Sequence, residues 1–200
     1  WNDWTEIGPH HFSGGRYITY HFFHVLMNEF SATGDERILS AMRDHYLRVP
    51  PRQHAVHQGI GNIEEICWLY GLTGDKRILE KGLEAWACVN QTKYSHYRNF
   101  DMPLDVLLSD KKATQHGLTY MDGIRAPLLL YKYTGDQQLL DAVLNGFRKL
   151  DRDHMLIDGC PSSNECLAGK NPRVAHETCV VSSYSWATYT KVVRSIIISY

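Results

Sequence analysis

Apolar residues recur at spacings of three and four along most of this 200-residue chain. Leu140, Val143, Leu144, Phe147 and Leu150 form the cleanest stripe, the face a helix turns toward a core. Ile60, Ile63, Cys67 and Tyr70 form another. Read in this way, the pattern predicts helices over about 16–32, 36–48, 59–72, 76–92, 118–133, 137–152 and 178–195.

The gaps between those helices are of two kinds. Three short ones carry the same tripeptide, Thr-Gly-Asp, at 33–35, 73–75 and 134–136. Glycine can end a helix in the left-handed conformation at little cost. The next aspartate can accept the orphan amide hydrogens of a following first turn. Each tripeptide therefore predicts a tight helical hairpin, and its recurrence predicts stacked helix pairs. The other gaps are long and rich in His, Tyr and Asp: "RVPPRQHAVHQG" (48–59) and "YSHYRNFDMPLDVLLSDKKATQHG" (94–117). Loops of that length in a compact domain are functional or disordered, and this composition favours function. Short loops on one side and long ones on the other suit an α/α toroid, whose long loops line a central cleft. The expected fold is all-α, a partial (α/α)6 toroid. Residues 1–200 read as part of one such barrel domain. A closed toroid needs twelve helices and about seven are legible, so the remaining part of its own barrel domain is expected outside this chain. The apolar end "KVVRSIIISY" and the start at Trp1 fit the same expectation of a longer protein.

Charge narrows the partners. Lys and Arg number 21 against 22 Asp and Glu, a net charge of −1, so no electrostatic footprint for nucleic acid or an anionic membrane is expected. No apolar run approaches the length of a membrane-spanning helix. Eleven His, twelve Tyr and five Trp instead bias the reading toward sugar binding, which uses flat apolar faces with hydrogen-bonding edges. Five cysteines, an odd number without framework spacing, argue against a disulfide scaffold.

The densest chemistry lies at 164–179, "NECLAGKNPRVAHETC". Cys160, Cys166 and Cys179 lack the Cys-x-x-Cys spacing of structural zinc knuckles. Glu177 and Cys179 are one residue apart, so on a regular helix they diverge, whereas in an extended entry turn they face the same way. Pro172 makes such an entry plausible before the helix that starts near Thr178. Carboxylate and thiolate suit zinc and make half of a tetrahedral set. The plainer alternative makes Glu177 a first-turn carboxylate favourable to the helix dipole and Cys179 a small buried hydrophobe.

"SSNECLAGKNPRVAHETC", followed by "YSW", resembles the signature of glycoside hydrolase family 127, the β-L-arabinofuranosidases and their relatives. "TQHGLTYMDGIRAPLLLYKYTGD" (114–136) is similar to another of their inner helices, and "HHFSGG" is a weaker echo. The resemblance implies an (α/α)6 barrel and a retaining glycosidase whose nucleophile is a zinc-bound cysteine thiolate. It implies that Glu177 and Cys179 are zinc ligands and that Glu165 is the general acid/base. It also implies two more ligands, the nucleophile among them, from an adjacent cysteine pair downstream. No Cys-Cys occurs in this chain.

Further candidates surround that core. His116 and Asp122 fall on the helix the resemblance puts on the cleft wall, as sugar binders or as a cap and a surface carboxylate. His57, near another helix start, has the same two readings, and His176 abuts Glu177 and could orient it. His21 and His24, three apart, have a ligand spacing but also suit a core or cleft face. Trp186 is a stacking platform or core. The leading expectation is a glycoside hydrolase acting on a carbohydrate. The alternatives are a toroid lyase or sugar epimerase, and a non-catalytic helical-repeat scaffold binding glycan or protein.

Overall fold

All seven predicted helices are present in the computed structural model, which describes residues 13–51, 62–91, 102–171 and 173–198. They are α1 (Ser13–Thr33), α2 (Glu36–Arg48), α3 (Asn62–Thr73), α4 (Lys76–Gln91), α6 (Gly117–Thr134), α7 (Gln137–Asp153) and α8 (Thr178–Ile198). An eighth, α5 (Leu104–Leu108), lies inside what the sequence suggested was a continuous loop; at five residues it is too short to show a period. The described chain is all-α apart from one minimal antiparallel hairpin, β1 (Ser163–Asn164) and β2 (Cys166–Leu167). No disulfide joins any of the five cysteines.

The Thr-Gly-Asp turns follow the expected chemistry. Gly34, Gly74 and Gly135 have φ of 68°, 65° and 68°. Their amides close the preceding helices onto the carbonyls of Phe30, Tyr70 and Tyr131. Asp35, Asp75 and Asp136 accept the amide hydrogens of Arg37, Arg77 and Gln138 at 3.0, 3.1 and 3.0 Å. The threonine adds a role that the sequence left blank. Its hydroxyl donates to the carbonyl four residues back and accepts the aspartate amide at 3.3, 3.3 and 3.2 Å. Each turn is thus locked from both helices.

Helix α6 is the hub. From Thr119 to Leu130 every residue is buried, and the helix packs on α3, α4, α7 and α8. Tyr120, Met121, Ile124 and Leu128 meet Val143 and Phe147 of α7 and Val180 of α8 in the larger apolar cluster. A second cluster, with Phe23, Met42, Tyr46, Ile66 and Ile78, joins α1 to α4. Helices α1, α3, α6 and α8 pack in succession as one row, while α2, α4 and α7 each pack on the first helix of their own hairpin.

Candidate functional site

The hairpin β1–β2 is seated at the N-terminus of α6. Gly117 donates its amide hydrogen to the Glu165 carbonyl at 2.8 Å, and Leu167 donates to the Gln115 carbonyl at 3.0 Å. The seat needs a residue without a side chain: a Cβ on Gly117 would stand 2.6 Å from both Ser163 Oγ and Val180 Cγ2. Glu165 is the one residue between the two strands. With φ of 59° it is the only non-glycine residue in the left-handed region among the described residues, a conformation that something must hold.

Glu177 does so. Its Oε2 accepts the Glu165 amide hydrogen at 3.0 Å and also the Ser163 hydroxyl. Glu177 stands just before α8, and its carbonyl receives the amides of Val180 and Val181. The side chain therefore serves the hairpin while the backbone begins the helix. Cys179, in the first turn of α8, is exposed. Partial burial, then the carboxylate of Glu177 and more weakly that of Glu165, push its thiol pKa upward.

His116 caps α6 and is buried. Its Nδ1 accepts the Thr119 amide hydrogen at 3.3 Å, so the neutral ring carries its hydrogen on Nε2. That nitrogen lies 3.5 Å from Glu165 Oε2, whose side chain is 79% exposed. Glu165, Glu177, Cys179 and His116 thus share one patch where the N-termini of α6 and α8 meet.

The other candidates are dispersed. Asp122 is buried one and a half turns along α6, facing Arg125 at 3.4 Å, and burial pushes its pKa up to about 6. His176 has its ring nitrogens on Asp158 Oδ2 at 2.6 Å and on the Pro161 carbonyl at 3.2 Å, and so braces the 158–161 turn. His57 lies outside the described residues.

Asp122 leads to a second polar group, one that no spacing along the chain announces. Arg125, 3% exposed, pairs through Nη1 with Glu64 Oε2 at 2.8 Å, and the Trp186 indole N–H donates to the same oxygen at 3.1 Å. The adjacent Glu65 is wholly buried, with Oε1 3.1 Å from His24 Nδ1. Its pKa is raised by burial, while that of His24 is raised by its bond to Glu65. Ser163, Glu64, Glu65 and Arg125 are the residues sequence reasoning missed. The one available signal was a pair of adjacent acids and an arginine set within otherwise apolar helices.

No family model matches the chain, and no curated protein matches it.

Proposed function

We propose that the chain belongs to a retaining glycoside hydrolase similar to the β-L-arabinofuranosidases, acting on a furanoside or related glycan. One observation carries this reading: Glu177 binds the backbone of Glu165 at 3.0 Å while its charge acts on the Cys179 thiol. Three residues that the family resemblance marks for one reaction therefore share one small, solvent-reachable patch.

In this reading Glu165 is the general acid/base. Its carboxyl gives a proton to the departing glycosidic oxygen and later takes one from water, the two-step logic of retaining enzymes. His116, with its hydrogen on Nε2, steadies Glu165 on the side away from solvent. Glu177 and Cys179 are the zinc ligands. Both bonds to Glu177 fall on Oε2, which leaves Oε1 for a cation, and a carboxylate with a thiol is a donor pair that suits zinc. When bound, zinc would keep the coordinated sulfur deprotonated. The rest of its tetrahedral set, with the nucleophile, is assigned to a cysteine pair beyond these 200 residues.

The row α1, α3, α6 and α8 then forms inner helices of an (α/α)6 barrel, with α2, α4 and α7 outside, and the remaining helices of the barrel complete it. The partner is a carbohydrate; the near-zero net charge gives nucleic acid no footprint. Among the described residues no helix is long and apolar enough to cross a membrane.

Glu165→Gln in the full-length protein tests the reading. Natural glycosides should be cleaved about 10²–10⁴-fold more slowly, the range for losing a general acid. The first step on activated aryl glycosides, which need little protonation, should suffer far less. Equal, small effects on both substrates would overturn the assignment.

A further inference from the structure

The His24–Glu65–Glu64 group is separate from the patch around Glu165, and it has an unsolved charge problem. Two carboxylates, Glu64 and Asp122, pair with a single guanidinium, Arg125, and a third, Glu65, lies beside Glu64 and His24. All four are buried or nearly so, with Glu65 at 0% exposure. Arg125 is committed to Glu64 and Asp122. Among the described residues it makes no ion pair with Glu65, which meets His24 through Oε1 while its buried Oε2 has no hydrogen-bond partner. An orphan carboxylate oxygen in an enclosed site costs several kcal/mol unless a cation or a proton meets it.

We infer that His24, Glu64 and Glu65 bind a divalent transition-metal ion of the zinc or manganese class. One ligand atom from each lies within 4.8 Å of the others, and this is the only such group of three among the described residues. Ligand atoms around a tetrahedral ion stand about 3.3 Å apart, given metal bonds of about 2.0 Å. Side-chain rotation of that order closes the set. Both contacts to Glu64 fall on Oε2, so its Oε1 is the available donor. One imidazole and two carboxylates fit zinc or manganese and give thiolate-seeking ions no purchase. A dication would bring to the buried Oε2 of Glu65 the positive charge that Arg125, held by Glu64 and Asp122, does not. His24, whose side chain is 27% exposed, and Trp186, 38% exposed, mark the open side through which an ion would enter. Three protein ligands leave coordination room for water or a substrate oxygen, as catalytic metal sites do.

The test uses the full-length, tag-free protein carrying Cys179→Ser, which disables the separate zinc site proposed above. After chelator treatment and dialysis against zinc chloride or manganese chloride, elemental analysis should find about one ion per chain. Adding Glu65→Gln should weaken binding at least about tenfold. His24→Asn, at a half-buried position that tolerates a polar residue, should do the same should the Gln variant fail to fold. Manganese bound to the folded protein should also give an electron paramagnetic resonance signal that both variants lose. No retained ion in the Cys179→Ser protein, or equal retention in both variants, would overturn the inference. Neither result touches the role of Glu165, which its own kinetic test decides.

Discussion

Ser163 matters to the candidate site more than its size suggests, because among the described residues it is one of two groups that hold the Glu177 carboxylate. It is wholly buried, and a hydrogen bond to a charged acceptor contributes about 1.5–3 kcal/mol. Ser163→Ala should lower unfolding stability by about that much, read from the denaturant midpoint at constant slope. An unchanged midpoint would mean that the bond does not form. The same residue shows where the sequence stopped being legible. Glu165, Glu177, Cys179 and His116 stand out by type and motif, and three of them lie within fifteen positions of one another. Ser163 reaches Glu177 only because a hairpin with two-residue strands doubles the chain back, and strands so short have no period to read. His24, Glu64, Arg125 and Trp186 come from four different helices, and no local pattern announces such a meeting.

At the level of whole elements, punctuation was the readable part. Glycine and aspartate placed the ends of six helices within a few residues, because the left-handed cap and the side-chain cap are local devices. Position 59, where the apolar spacing begins α3, lies outside the described residues, which resume at Asn62. Gly135 offers a clean measure of the cap. A Cβ there would meet nothing within 4 Å, so Gly135→Ala carries only the backbone penalty of a left-handed non-glycine residue. That penalty is about 1–2 kcal/mol. Thermal unfolding should record the loss, while the helical circular dichroism at 20 °C stays unchanged. A variant as stable as the parent would show that the turn relaxes out of the left-handed conformation.

Across the molecule, the all-α class followed from periodicity, whereas the order of packing did not. That α6 would be buried over twelve consecutive residues could not be read from a face pattern, since a helix surrounded on every side has no polar face. Burial also sets the response to acid. His154 accepts the Gly169 amide hydrogen on Nδ1, and burial pushes its pKa down to about 4; burial does the same to His45. Above about pH 6.5 these rings are neutral in both folded and unfolded chains, and the stability they permit is fully present. Between about 6.5 and 4 the unfolded chain takes up protons that the folded one refuses, so stability should fall as pH falls. Melting temperatures from pH 7.5 to 4.5 should show this slope, and His154→Gln should flatten part of it. A slope identical in the variant would remove His154 from the account.

The locked turns carry one more implication, which concerns interchangeability. Thr, Gly and Asp perform the same bonds at all three positions, so the turn is a standard joint. Exchanging residues 33–37 with 134–138 should leave the melting point within a degree or two, because neither copy contributes more than its own caps and surface pairs. The middle joint is different. Asp75 also takes Arg43 of α2 at 3.1 Å, on top of Arg77 at 2.7 Å, and so fastens one hairpin to the next. A transplanted copy with Gln at the Arg77 position would keep both the turn and the rivet, whereas loss of Arg43 would keep the turn and remove the rivet. The repeat therefore consists of two generic couplings and one that records its neighbours.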